Sequence, residues 1–393
     1  MRIFIYPSAP DCANLGDVAM LQIALERLRE LWPGASFSVL MRAPEAFKNH
    51  CPGVKLVSAR GCKYWLRQNA SRRPGFLFPL RKHQVQEFAE ALFSSDLLVL
   101  TGAGILTDAF QDPEARVLNT FKAAIGRGIP TAMVGQGVGP IRNEILLACA
   151  AEVLPRVGAL FLREPCASLS LLRQLKVPEE RIAVTGDDAI ELAFRERRFT
   201  AGSCIGVNLR VAGYAGLRIE IARRVHEVLV EKARQYQTNL VGIPITNGSR
   251  DSDVRTLERW LPGGSVWNTE EAWKPATVIR RISDCRLVVA GSYHAGVFAL
   301  SQGIPAVTIV ESQYYANKFE GLAAQFGCGY AVQRADDPQF AGHLSAAVDR
   351  AWRESDLVRP ELLNAAERQI AAGREAYARL PALVASRTGT ACA

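Results

Sequence analysis

Short apolar runs alternate with amphipathic helical stretches along most of this chain. Strand-length runs lie near 3–6, 37–40, 97–101, 132–134, 159–162 and 182–184, and a second series near 205–209, 240–243, 287–290 and 306–310. Helical patterns fall between them. Leu21, Leu25 and Leu28 recur at helical spacing after Asp17, and Val225, Val228 and Leu229 do so within 218–235. Strands that are apolar at successive positions must be covered on both faces, and a parallel sheet between helix layers does that. The polar, aperiodic stretch 195–203 separates the two series. The expected fold is α/β, with two doubly wound domains facing a cleft and ligands at the carboxyl ends of the strands. The expected boundaries are 1–195, 203–358, and a helical tail over 359–393.

At 393 residues the chain is longer than one core usually serves. Hydrophobic content of 49% and charged content of 22% suit a soluble enzyme. No apolar run reaches the roughly 18 residues of a membrane span. The first residues form a strand pattern too short for a signal peptide, so a cytoplasmic location is expected. Nine scattered cysteines, without a C-x-x-C pair, read as free thiols. The net charge of +8 favours an acidic partner: a small acid, a phosphate, anionic lipid or nucleic acid. No clustered metal ligands and no nucleophile elbow occur, so no metal is expected.

Several strand-end loops carry chemistry. Val288 to Leu300 reads as strand, glycine turn and helix start around Ser292-Tyr293-His294, which combines free N–H groups, a positive helix end and an imidazole. Lys318 follows the next apolar run. Together they suit a phosphate. Asn14-Leu15-Gly16-Asp17 precedes the first helix; Asp17 reads either as a helix cap or as a carboxylate that takes a proton from an acceptor hydroxyl. Gly102 and Gly104, with Asp108 beyond, lack the third glycine of a dinucleotide fingerprint. Gly135-Gln136-Gly137-Val138-Gly139-Pro140 reads as a ligand-facing loop. Arg163-Glu164, with Ser168 beyond, puts an arginine at a strand end, either for an anion or for a salt bridge. Asp187 and Asp188 read mainly as helix caps.

Taken in order, these loops resemble the polysaccharide pyruvyl transferase family over roughly residues 1–325. The resemblance implies two Rossmann-like domains similar to B-type glycosyltransferases. It also implies transfer of the enolpyruvyl group of phosphoenolpyruvate onto two hydroxyls of one sugar, giving a cyclic ketal and phosphate without a cofactor. Arg163, His294 and Lys318 would hold the donor, with Ser292, Tyr293, Gly135, Gln136 and Gly137 around it. Asn14, Asp17, Gly102, Gly104 and Asp108 would face a hexose-containing acceptor, in a bacterial exopolysaccharide or its lipid-linked precursor. Asp17 and His294 would be the catalytic pair.

Basic and aromatic residues interleave over 63–67 and 71–83, either as a packed surface excursion or as a lip touching anionic lipid at the inner face of the plasma membrane. No nucleic-acid module accompanies them. The alternative enzyme is a nucleotide-sugar-dependent glycosyltransferase of the same shape, with Asp251 or Asp253 gripping the ribose.

Overall fold

The computed structural model describes every residue except 9, 43–49, 71–78, 103, 211–217, 248–251, 262–272, 312 and 390–393. The side chains at 70, 79–81, 313–315 and 387–389 are likewise left aside. Two compact units make up the chain.

The first unit comprises Met1–Cys12, Met20–Asp188 and Ala372–Ala393. Its seven strands are β1 (Arg2–Pro7), β2 (Ser36–Met41), β3 (Lys55–Ser58), β4 (Leu97–Thr101), β5 (Thr131–Gln136), β6 (Ala159–Leu162) and β7 (Ile182–Val184). They pair in parallel in the order β3-β2-β1-β4-β5-β6-β7. Every residue of β4, β5 and β6 is buried, as their unbroken apolar sequences require. Phe4, Phe88 and Phe121 anchor one helix layer, with Phe4 edge-on to Phe88 at 5.8 Å.

The second unit comprises Ala13–Ala19 and Ala189–Ala371. Its strands are β8 (Cys204–Asn208), β9 (Leu240–Gly242), β10 (Cys285–Ala290), β11 (Ala306–Val310) and β12 (Tyr330–Arg334). They form a parallel sheet in the order β12-β11-β10-β8-β9. Val207, Leu229, Val289 and Leu344 lie in its core.

Both sheets are doubly wound, and in each the chain reverses direction beside its first strand. The reversal falls between β1 and β4 in one, and between β8 and β10 in the other. At such points the loops diverge and leave a crevice for ligands.

The units differ from the expected boundaries in three ways. Residues 13–19 group with the second unit, because Leu15 N–H donates to Ile245 O at 2.9 Å and Asn247 N–H donates to Ala13 O at 2.9 Å. The helix Ala189–Arg195 groups there as well, since it packs on the helix Tyr293–Ser301. The tail is no separate body: a helix spans Phe340–Tyr377 with Pro360 inside it, and residues 372–393 belong to the first unit. The edge strands β3 and β12 escaped the sequence reading. Neither has an unbroken buried run, because one side of an edge strand lacks a neighbour.

Candidate active site

The reversal point of the second sheet holds the histidine loop. Gly291, just past β10, donates its N–H to Asn208 O at 2.7 Å at the end of β8. The backbones run so close that a Cβ at Gly291 would stand 3.3 Å from Arg210 N. Ser292 then takes an extended conformation (φ −121°, ψ 147°) and leads into the helix Tyr293–Ser301, all of whose residues are buried. Its hydroxyl makes no cap hydrogen bond, and its buried Oγ meets no hydrogen-bond partner among the described residues. This is the position where serine ordinarily satisfies the helix's first amides. A helix start with its positive dipole end and an unpartnered buried hydroxyl has the polarity that suits an anion.

His294 is 5% exposed, and its ring lies 5.5 Å from that of Tyr293 at 82°. Lys318, on the helix Gln313–Phe326, holds Nζ 4.5 Å from the Tyr293 ring centroid. The expected group of Ser292, Tyr293, His294 and Lys318 is therefore assembled within one unit.

Gly16, in the first turn of the helix Leu15–Leu31, packs against His294. A Cβ there would overlap Cγ and Nδ1 of the imidazole. Asn14, not Asp17, caps this helix: its Oδ1 accepts from Gly16 N–H at 3.0 Å and its carbonyl from Val18 N–H at 3.1 Å. Asp17 lies inside the first turn, half-buried, where its charge complements the helix dipole. The expectation that Asn14 and Asp17 belong with the N-terminal domain is thus corrected, because the pairing of 13–15 with 245–247 carries them into the unit of His294.

Beside this site Asp253 is fully buried. It accepts from Asn208 Nδ2 (2.9 Å), Arg210 Nε (2.9 Å), Ile245 N–H (2.9 Å) and Thr246 N–H (3.0 Å). A fully buried carboxylate held by these hydrogen bonds is committed to the fold rather than open to a ribose. Asp251 lies outside the described residues.

The loops of the first unit are stitched to one another. Leu106 bridges Val138 in parallel, Gly139 N–H donates to Leu106 O at 2.7 Å, and the Thr107 hydroxyl donates to Pro140 O at 3.1 Å. Asp108 closes the stitch by accepting from Arg142 N–H (2.7 Å) and Asn143 N–H (3.0 Å). It ties a loop, which the sequence reading had assigned to the acceptor. Glu164 Oε1 accepts from the Ser168 hydroxyl at 2.7 Å, and Ser168 Oγ accepts from Val138 N–H at 2.9 Å. This pair fixes the Gly135–Pro140 loop. Gly102 and Gly135 both flank Met20, where a Cβ on either would collide with the thioether; Gly104 is half-buried. The Gln136 side chain is buried and donates to Val134 O at 3.0 Å.

Arg163 is 2% exposed and lies under the Gly137 backbone, with Nη1 3.8 Å from Asp187 Oδ2. Asp188 binds Arg27 Nη1 at 2.6 Å and the Tyr377 hydroxyl at 2.7 Å, and burial with the Asp188 charge raises the Tyr377 pKa well above the usual phenol range. The two aspartates are buried ion-pair members; the sequence reading had favoured caps. Arg27, Tyr377, Arg210 and Asn208 carried no signal, because their partners are distant in sequence. Glu114 was missed for the same reason. Fully buried in the helix Gln111–Ile125, it meets no hydrogen-bond partner of good geometry, and burial, aided by the Asp108 charge, raises its pKa to about 7.

The basic segment 63–67 is part of a regular helix, Ala59–Ala70. Trp65 packs into the first unit's core, 5.7 Å from Phe88 and 5.5 Å from Phe93. The aromatic-rich part over 71–78 lies outside the described residues. The described cysteines are all free thiols, and burial pushes Cys12 and Cys51 up to about 12. Among the described residues no group of His, Cys, Asp or Glu could hold a metal, and no helix is long and apolar enough to cross a membrane.

Two parallel, doubly wound sheets with strand-end loops define the fold of B-type glycosyltransferases, and solved structures agree. A Listeria monocytogenes protein provisionally named a UDP-N-acetylglucosamine 2-epimerase aligns with a TM-score of 0.62 at 11% identity, over 97% of this chain and 95% of its own. MnaA of S. aureus, solved with UDP, gives 0.58 at 13% identity, over 96% and 94%. A UGT transferase from Siraitia grosvenorii in complex with UDP gives 0.56 at 14% identity, over 98% and 99%. At such identities the likeness shows the fold alone. No curated protein matches the sequence. The chain belongs to the polysaccharide pyruvyl transferase family, whose model matches residues 14–313.

Proposed function

We propose that this pyruvyltransferase takes phosphoenolpyruvate as donor and builds a cyclic pyruvate ketal across two hydroxyls of a hexose, in an exopolysaccharide or its lipid-linked precursor. The observation that carries this reading is the buried Ser292 hydroxyl, without a partner among the described residues, at the start of the helix that bears His294, with Lys318 over the Tyr293 ring. It has the polarity and small scale of a phosphate site.

In this mechanism a proton is delivered to the methylene carbon of the donor, and C2 becomes oxocarbenium-like. One sugar hydroxyl attacks C2 and loses its proton. The C2–O bond to phosphate then breaks, and the second hydroxyl closes the ring with loss of its own proton. The two hydroxyl protons balance the one gained by the methyl carbon and the one leaving with phosphate. His294 is assigned proton donation to the departing phosphate, with Ser292 and Lys318 as its anion contacts. Asp17, one residue beyond the contact with His294, is assigned as base for a sugar hydroxyl. In the first unit, Arg163 and the Gly135-Gln136-Gly137 backbone are proposed contacts for a carboxylate. The backbone at Gly102 and Gly104 is proposed for a sugar.

The structural relatives solved with UDP raise the nucleotide-sugar alternative. Against it, Asp253 is fully buried and held by Asn208, Arg210 and the 245–246 backbone. For a peripheral membrane contact, support comes from a groove of about 610 Å³ whose lining includes Lys63, Arg67, Arg116 and Lys122. Co-sedimentation with acidic but not neutral vesicles is the expected result.

The deciding experiment supplies phosphoenolpyruvate and a panel of hexose glycosides. Phosphate release that requires the acceptor, with a product heavier by one pyruvate less water, is expected. Thermal stabilisation by UDP-sugars and not by phosphoenolpyruvate would overturn the donor assignment.

A further inference from the structure

The helix Leu15–Leu31 carries glycine at its second position, where glycine is a poor helix former and alanine a good one. No positive φ explains the choice, since Gly16 is not among the glycines of left-handed conformation. What explains it is space. The volume a Cβ would fill is occupied by Cγ, Nδ1 and Cβ of His294. Gly16 is buried, and so is the ring.

The contact has a rigid frame on both sides. Leu15 N–H is tied to Ile245 O, Asn14 bridges Thr246, and Asn14 Oδ1 holds Gly16 N–H. On the other side His294 stands at the second position of a fully buried helix, with Phe298 one turn on and its ring 6.2 Å away. The imidazole is thus clamped between the flat face of a glycine and the helix that carries it. A ring held this way has its nitrogens set by backbone rather than by rotamer preference alone.

We propose that Gly16 is a positioning residue for His294, and that the Asn14–Gly16 turn is a wall of the donor-phosphate site. The proposal rests on the reading of His294 as the proton donor in pyruvyl transfer. Gly16 touches no reacting atom; it acts by fixing where the imidazole can be.

The test is Gly16→Ala, alone and combined with His294→Ala. Alone, it should lower kcat on the order of 100-fold, with a smaller change in the KM for phosphoenolpyruvate, as a misplaced catalytic group does. It should also change the pH profile of kcat/KM. In the His294→Ala background the space is vacated, so adding Gly16→Ala should cost no further activity and should raise thermal stability. A purely structural glycine would give additive losses in the double variant, and that result overturns the proposal. So does Gly16→Ala with a wild-type pH profile and kcat.

A second readout does not need turnover. In histidine-labelled protein, the His294 ring signals are identified by their loss in His294→Ala. Their chemical shifts should move in Gly16→Ala while those of His226 and His343 stay put. Unmoved His294 signals in a folded Gly16→Ala protein refute the positioning role. If the native protein releases no phosphate from phosphoenolpyruvate, the functional reading fails, and the ring signals still decide the role of Gly16.

Discussion

Asp188 in the first unit and Asp253 in the second are both buried aspartates near strand ends, yet they end in different company. Asp188 neutralises Arg27 and accepts from Tyr377, and it stands 3.2 Å from where a Cβ on Gly135 would lie. It holds the rear of a glycine loop in place. Asp253 ties Asn208, Arg210 and the 245–246 backbone together directly beside the histidine loop. A few residues away Ser292 Oγ has no partner at all among the described residues. Two buried polar groups near strand ends thus differ in how far the fold itself satisfies them. A buried carboxylate held by several hydrogen bonds is committed to the scaffold, whereas a buried hydroxyl without a partner at a helix N-terminus is a candidate contact for a ligand.

The largest effect should come from His294→Ala, which breaks the comparison on the site side. Transfer activity should fall by about 10²–10⁴-fold, the usual worth of a general acid, while the unfolding midpoint stays close to native. Steady-state phosphate release checks the first part and urea unfolding the second. Near-native turnover would place the chemistry elsewhere.

On the scaffold side, Asp188→Ala strands the Arg27 charge in the interior. A loss of about 3–5 kcal/mol in unfolding free energy is expected, because removing one member of a buried pair leaves the other uncompensated. Asp253→Ala should behave alike. Equilibrium denaturation of both variants tests whether the two aspartates are equivalent supports.

Glu114 sharpens the comparison, since it is a buried acid whose carboxyl oxygens meet no hydrogen-bond partner of good geometry among the described residues. Its folded pKa of about 7 lies above the unfolded value of 4.5. The folded state therefore holds a proton that the unfolded state has lost. Stability from this source is complete below about pH 4.5, declines as pH rises, and is gone above about pH 7, a loss of about 3 kcal/mol at most. Glu114→Gln should flatten that decline. Urea midpoints at about pH 5 and about pH 8 that keep the native difference in the variant would assign the slope to another group.

Tyr377→Phe is the mildest probe. It removes the hydroxyl that Asp188 accepts and should cost about 1.5–3 kcal/mol, the range for a hydrogen bond to a charged group. The same measurement tests whether the C-terminal helix is integral to the first unit. A neutral result would make the tail an accessory.

Much of this architecture was legible in the chain. Fully buried strands such as Leu97–Thr101 and Ala306–Val310 announce themselves as unbroken apolar runs, and their alternation with helices leaves parallel sheets as the solution. The histidine loop was legible too, because strand, glycine and helix start are contiguous. Where the structure departs from that reading, the local pattern was weak or ambiguous, or the deciding partner was remote. β3 and β12 lack the apolar run, the cap of the first helix is Asn14, and Asp108 proved a loop tie. The domain boundary moved because the helix Ala189–Arg195 packs onto Tyr293–Ser301.

By itself, then, the sequence determined the fold class, the order of the strand-end loops and the strand–glycine–helix form of the histidine loop. Those follow from burial periodicity and from bonds between near neighbours, which are written locally. Only the tertiary structure decided which unit owns Asn14 and Asp17, which aspartates are already satisfied, and why residue 16 is glycine. Each of these depends on atoms brought together across hundreds of residues. The side chain that excludes a Cβ at Gly16 belongs to His294, and no local pattern records that meeting.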